Sequence, residues 1–203
     1  MELSLDSLAD LSTGLTLRGA GAALRTVEGG PHLLRIGDIS ETGEISIADI
    51  HPIDPDLVTD DRHRIQPGDI LLPNRGSRMT AARVTGEMDA VAGSQFFVIR
   101  VRPDFAVLPE YLHAYINLPA TQNHLQSHAR GTYVSTLSIA VLRDLKVPIP
   151  PLETQEKIAQ LAQLALEEQQ LIAALAAKRQ QLITHSLGLI VQTSLISPIQ
   201  CHA

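Results

Sequence analysis

Over roughly the first three quarters of the chain, apolar residues come in short runs closed by turn residues; one long helical pattern follows. The opening "LSLDSLADLSTGLTLRG" mixes strand-like alternation with turn residues. "PHLLRIGDIS" is a short apolar run ending at Gly37-Asp38, a strand followed by a turn. "ETGEISIADI" repeats it, turning at Thr42-Gly43 with Ile45 and Ile47 alternating against polar neighbours. "HPIDPDLVTDDRHRI" reads as a loop, with two prolines and a cluster of acids. In "QPGDILLPNRG", Pro67-Gly68 opens a strand at Ile70–Leu72 and Pro73–Gly76 closes it. "AARVTGE" and "AVAGSQFFVIRVRP" predict two further strands, the second ending at Pro103. Leu108, Leu112, Tyr115 and Ile116 have helical spacing; Pro119 interrupts them, and a second helical piece is expected from Thr121 to His128. A helical turn over Leu137–Leu142 and a strand over Leu145–Ile149 complete a β-rich α+β domain spanning about residues 1–150.

The pattern changes after Pro151. "LETQEKIAQLAQLALEEQQLIAALAAKRQQLITHSL" contains neither Gly nor Pro, and its apolar residues Ile158, Leu161, Ala165, Ile172, Leu175 and Leu182 recur at steps of three, four and seven. A helix over 151–187 would be about 50 Å long at 1.5 Å per residue, more than a domain this small can cover. It is therefore expected to project and to pair its apolar stripe with another helix. The alternative is a helix folded back on its own domain. Glu153 and Glu156 near the start, and Lys178 and Arg179 near the end, suit the helix dipole. Pro148, Pro150 and Pro151 explain the join. The first two keep the strand exit extended, and the third stands where a missing N–H costs little. Residues 188–203 form a tail to which the pattern gives no role.

Composition narrows the class. Aromatics are only 3% with no Trp, so the core is aliphatic. The single cysteine, Cys201, allows neither an internal disulfide nor a zinc cluster, and the N-terminus has no basic-then-apolar signal pattern. No apolar run reaches the ~18 residues of a membrane span. A cytoplasmic protein without a membrane partner is expected. The net charge of −6 is unevenly spread. Up to Asp61, three arginines face twelve acids; from Arg62 to Pro150, nine arginines and one lysine face six acids. Arginine suits phosphate and guanine edges better than lysine does.

Two loops concentrate residues able to read nucleic acid. "LPNRGSRMTAAR" sets Asn74, Arg75, Ser77, Arg78 and Arg83 around a glycine turn. Arginine grips guanine and asparagine grips adenine through two hydrogen bonds each, while hydroxyls suit phosphates. "SHARGTYVST" offers Arg130, Thr132 and Tyr133, and Gln95 beside Ser94 is a third, lesser candidate. The plainer alternative for each is a solvated surface turn. Asp54, Asp56, Asp60, Asp61 and His63 raise the possibility of a divalent metal site, but their spacing matches no metal loop. There is no G-x-S-x-G, no P-loop and no Gly-rich dinucleotide motif after a strand. Neither metal nor cofactor is expected. His113, His124, His128 and His185 read as surface or capping residues on helices.

The stretch "GTYVSTLSIAVLRDLKVPIPPLETQEKIAQLAQ" resembles the junction between a target recognition domain and the conserved helix in specificity (S) subunits of type I restriction–modification systems. The resemblance rests on Gly131-Thr132, Leu137-Ser138 and the passage Pro148-Ile149-Pro150-Pro151-Leu152-Glu153-Thr154-Gln155, and extends to the two Gly-Asp strand ends at Gly37-Asp38 and Gly68-Asp69. It implies a non-catalytic subunit that recognises double-stranded DNA and directs a DNA adenine methyltransferase (M) subunit, with a restriction (R) subunit as a further partner. The Asn/Asp-Pro-Pro-aromatic tetrapeptide of amino-methyltransferases is missing, so this chain is not expected to methylate by itself. The usual S subunit carries two recognition domains and two helices that pack antiparallel as a spacer; this chain holds one of each, so the resemblance implies that its helix pairs as an antiparallel coiled coil. That implies a half-subunit acting as a homodimer on a gapped palindrome. The competing reading is a helix-mediated assembly or regulatory protein that binds the methyltransferase without reading DNA.

Overall fold

The computed structural model describes residues 1–17, 29–46, 52–76, 79–131 and 135–196. Its strands and helices follow one another as β1 (Glu2–Ser4), α1 (Leu5–Leu8), β2 (Ala9–Thr13), β3 (His32–Leu34), β4 (Ile70–Pro73), β5 (Ala82–Arg83), β6 (Ala90–Ala92), β7 (Phe96–Val101), α2 (Pro109–Asn117), α3 (Pro119–His128), α4 (Ile139–Asp144), β8 (Lys146–Pro148) and α5 (Leu152–Ile196). This is the α+β arrangement expected, with a long C-terminal helix. The chain divides into two units, Met1–Ala162 and Gln163–Ala203.

In the first unit, an antiparallel sheet runs in the order β2-β7-β4-β5. Its apolar runs are continuous because both faces are covered. Ile70 and Leu72 of β4, with Phe97 and Ile99 of β7, pack against Leu112 and Ile116 of α2, Leu125 of α3 and Leu142 of α4. The alternate residues Leu71, Phe96 and Val98 pack on the other side with Leu34, Ile65, Val84 and Ala92. β3 and β6 form a separate parallel pair.

"AVAGSQFFVIRVRP" is not one strand. It breaks at Gly93, where the Phe96 N–H donates to the Gly93 carbonyl in a tight turn at 3.0 Å. A Cβ on Gly93 would stand 2.8 Å from the Leu34 carbonyl oxygen, so the backbone approaches there as only glycine allows. The alternating "LSLDSL" likewise resolves into β1 and the single turn of α1, which buries Leu5 and Leu8. Asp54 and Asp60 each accept the N–H two residues on, capping the short helical turns Pro55–Leu57 and Asp61–His63. Asp60 and Asp61 also pair with Arg62 and Arg64.

The two Gly-Asp strand ends share one device. The Asp38 carboxylate accepts the Arg35 N–H at 2.7 Å, and the Asp69 carboxylate accepts the Gln66 N–H at 2.8 Å, each closing a turn three residues back. Gly68 supplies the positive φ of 92° that the second turn requires. Asp69 is 1% exposed and is also held by both arms of Arg100 at 2.7 Å.

The proline passage is anchored at both ends. β8 pairs antiparallel with β1, so the chain start braces the segment entering α5. Tyr111 and Tyr115, one turn apart on α2, donate their hydroxyls to the carbonyls of Pro148 and Lys146 at 2.5 and 2.8 Å. Gln155, fully buried in the first turn of α5, accepts the Leu108 N–H through Oε1 and donates through Nε2 to the carbonyls of Ala106 and Pro150, each at 2.9 Å. One side chain thus pins the helix start to the loop before α2 and to the prolines. A glutamine suits this role because it carries acceptor and donor together.

α5 runs 45 residues, through Gly188 to Ile196, beyond the Leu187 expected. A lone glycine in a helix interior costs only about 1 kcal/mol, and Leu189, Ile190 and Val191 sustain the apolar pattern past it. Leu161, Ala165, Ile172, Leu175 and Leu182 are exposed, the four larger ones by 61–71%, and Ile158 lies at 36%. No helix among the described residues is long and apolar enough to cross a membrane.

Candidate nucleic-acid interface

The two loops singled out in the sequence are joined by a ladder. Segment 135–137 lies between Asn74–Gly76 on one side and Arg130 on the other. The Leu137 N–H donates to the Asn74 carbonyl at 2.8 Å and the Gly76 N–H donates to the Ser135 carbonyl at 3.0 Å. On the far side, Arg130 and Thr136 exchange both N–H···O bonds at 3.0 and 2.9 Å. Thr136 is therefore the antiparallel partner of both Arg75 and Arg130. Directly opposed residues share a face, so the three side chains emerge together. The two arginine Cα atoms stand about 10 Å apart, one wide pair and one narrow pair across the ladder. A positive φ of 101° at Gly76 lets the chain turn away immediately after Arg75.

Charge distinguishes these two arginines. From Arg62 to Pro150, the described arginines other than Arg75 and Arg130 all meet carboxylates. Arg62 meets Asp60, Arg64 meets Asp61 and Asp89, Arg83 meets Glu110, Arg100 meets Asp69, Arg102 meets Asp10 and Arg143 meets Asp6. Among the described residues, Arg75 and Arg130 have no carboxylate partner, and both are exposed. Their face adjoins a cleft of about 380 Å³ lined by Ser127, His128, Arg130, Thr136, Ser138 and Val141. The arrangement offers two unneutralised guanidinium forks, with hydroxyl donors close by, to an anionic partner.

The other candidates fall elsewhere. Asn74 is 7% exposed and its amide donates to the Ser94 carbonyl at 2.8 Å, so it supports the loop from inside. Arg83 is turned toward α2 and bound to Glu110 at 2.9 Å. Gln95 accepts the Ile36 N–H through Oε1, and its own carbonyl takes the Asn74 N–H. It tightens the base of the loop. Ser77, Arg78, Thr132 and Tyr133 lie outside the described residues.

Two residues hold the far end of the first loop. Asn117 grips the backbone of Ala81, accepting its N–H at 2.9 Å and donating to its carbonyl at 3.0 Å. His113 Nε2 lies 3.0 Å from the same carbonyl. His113 is thus a packed support and not a surface residue. Burial pushes its pKa down, outweighing the opposite pull of the Ala81 hydrogen bond, and nearby Arg83 lowers it further. Sequence spacing gave no sign of this clamp. Asn117 at the end of an apolar helical pattern reads equally well as a stop signal. His124 and His128 stay on the surface, their rings 4.6 Å apart.

Comparison with known proteins identifies the family and the fold. The profile described as the type I restriction modification DNA specificity domain matches residues 37–175, and the chain belongs to that family. It is 24% identical over 134 residues to the specificity subunit of the type I restriction enzyme EcoBI of Escherichia coli, a match covering 65% of this chain and 28% of that protein. Two solved structures share the fold. One is the type I restriction–modification S subunit of M. genitalium, with TM-score 0.59, 18% identity, and coverage of 89% of this chain and 42% of that one. The other is the HsdS subunit of Thermoanaerobacter tengcongensis, with TM-score 0.60, 20% identity, and coverage of 100% and 50%. The chain spans half or less of the length of each of these relatives.

Proposed function

We propose that this chain is a non-catalytic, cytoplasmic DNA-recognition half-subunit of a type I-like restriction–modification system. Residues 1–150 read duplex DNA through the ladder that joins the loops at 72–83 and 127–137. The helix that follows pairs with the helix of a second copy, so the two domains read the two halves of a gapped palindrome. The assembled pair directs an adenine methyltransferase to that site, and a restriction subunit joins the same complex.

The observation that carries this reading is the pair of unneutralised arginines on one face. The fold neutralises the other described arginines of the basic stretch and leaves these two exposed guanidinium groups free of carboxylate partners among the described residues, available to an anionic partner. The chain's net charge of −6 makes general attraction to DNA weak, which favours a local grip. The hydroxyls around the cleft suit phosphates, and arginine forks suit phosphate or guanine.

The deciding experiment is single-molecule sequencing of methylated adenines in cells carrying the gene and its neighbouring methyltransferase, with and without this chain. Loss of one gapped palindromic motif on deletion is expected. An unchanged pattern of methylation rejects the recognition role and favours a protein that only assembles with the methyltransferase.

A further inference from the structure

The apolar stripe on α5 carries two charged residues at seam positions. Reading Ile158, Ala165 and Ile172 as one seam column and Leu161, Leu175, Leu182 and Leu189 as the other, the heptad repeat places Arg179 in the first column and Glu168 in the second. Both are exposed on α5. Charge is also graded along the helix. Glu153, Glu156, Glu167 and Glu168 lie in the first half and Lys178 and Arg179 in the second, while Lys157 is already bound to Glu153 at 2.6 Å.

From this pattern we infer that a second copy of the chain packs against α5 antiparallel in one particular register, in which Glu168 of each copy faces Arg179 of the other. The inference rests on the self-pairing reading above and supplies its register. In an antiparallel pair, each residue of one seam column meets the other column of its partner. The Glu168–Arg179 register also sets Ile172 against Leu175 and Ala165 against Leu182, each contact made twice by the two-fold axis. Sliding one heptad either way places Glu168 against Ile172 or Ser186 and Arg179 against Leu161 or Leu175. Each slide strands two carboxylates and two guanidinium groups in the seam without a partner. A parallel pair would stack Glu168 on Glu168 and Arg179 on Arg179. Seam charges of this kind act chiefly by penalising wrong registers, since a paired charge adds little net affinity. The axis falls between Ala173 and Ala174 along the chain, and the central seam layers on either side of it are the Ile172–Leu175 contacts.

The test uses the full chain with Cys201→Ser and Thr184→Cys, carrying a spin label at 184 on the outward side of the helix. Antiparallel pairing in this register separates the two labelled backbones by about 33 Å, from 21 residues of axial offset at 1.5 Å and a helix spacing of about 8–10 Å. A slide of one heptad changes the axial part by about 10 Å. Charge swaps supply the second arm. Glu168→Arg and Arg179→Glu should each weaken self-association by tenfold or more in sedimentation equilibrium, and the double swap should restore it. Mixed together, the two single variants should form one-to-one heterodimers. A dimer whose label distance lies near 23 or 43 Å by the same helix geometry, or near contact as in a parallel pair, overturns the register while leaving self-pairing intact. An unswapped chain that stays monomeric at all concentrations overturns both.

Discussion

Arg75 and Arg130 oppose the same residue, Thr136, from its two sides, although they are far apart in the chain. The arrangement binds the two loops into one surface, and a change at either loop is felt by both. Arg75 and Arg130 are exposed, whereas Asn74 and Gln95 tie down the base of the first loop and His113 and Asn117 hold Ala81 at its far end.

Arg75→Ala and Arg130→Ala should each weaken DNA binding by the assembled complex, and the double change more so. An arginine on a base edge is worth about 1–3 kcal/mol. One on a phosphate lowers the slope of log affinity against log salt by about 1. Fluorescence anisotropy on the methylated duplex at several salt concentrations separates the two roles. Because both side chains are exposed and unpaired among the described residues, folding stability should move by no more than about 0.5 kcal/mol. Unchanged DNA binding by the complex would remove these loops from the reading surface.

The Asp69–Arg100 pair predicts the opposite behaviour, a large effect on folding. Asp69 is 1% exposed, and Arg100→Ala would leave its carboxylate buried with only the Gln66 N–H. Removing one partner of a fully buried pair costs about 3–5 kcal/mol; the Arg100 side chain is 32% exposed, so water can reach the carboxylate it leaves and the loss falls below that range. The doubly hydrogen-bonded carboxylate also raises the Arg100 pKa further, so the guanidinium is charged at every working pH. Urea denaturation should show the loss in Arg100→Ala and a smaller one in Arg100→Lys, which keeps the charge but not the fork. A midpoint unchanged in Arg100→Ala would mean that the carboxylate finds another partner.

Parts of this architecture are legible in the sequence for definite reasons. α2, α3 and the break at Pro119 show because helical periodicity and proline are local signals. The Gln66–Asp69 turn shows because glycine with a positive φ is a local requirement. The ladder is not legible, since Thr136 pairs with Arg75 across some sixty residues and no pattern within either loop encodes that partner. The same holds for Asn74, whose type suits adenine recognition and Ser94 support equally well. Only burial decides between them. The Arg83–Glu110 pair is hidden for a similar reason: Glu110 sits on a helix that the strand pattern does not locate in space.

His113 should make stability depend on pH. Burial lowers its pKa below the ordinary 6.5, so the native chain resists a proton that the unfolded chain accepts. The contribution is complete above pH 6.5 and is lost as pH falls from there through the depressed native value. Thermal unfolding should therefore soften below about pH 6.5 more in the natural chain than in His113→Gln, which cannot take up the proton. The difference between the two chains is the quantity to measure, because it isolates the contribution of His113. Parallel pH profiles would show that His113 is solvated in the native state.

The last prediction concerns the α5 stripe itself. Leu161 and Leu175 are 71% and 62% exposed, so introducing aspartate there removes no core contact from a single chain. Leu161→Asp together with Leu175→Asp should leave the melting of the recognition domain nearly unchanged and yield monomers by sedimentation. In the Glu168–Arg179 register Leu175 would be buried against Ile172 of the partner, and an unpaired carboxylate there would cost several kcal/mol in each of the two symmetric contacts. The two outcomes point to different roles. Monomers that retain weak DNA binding at a single half-site would mean that the helix supplies spacing and avidity while the ladder supplies reading. A dimer that survives both aspartates would place the pairing surface off the stripe and remove the physical basis for a palindromic target.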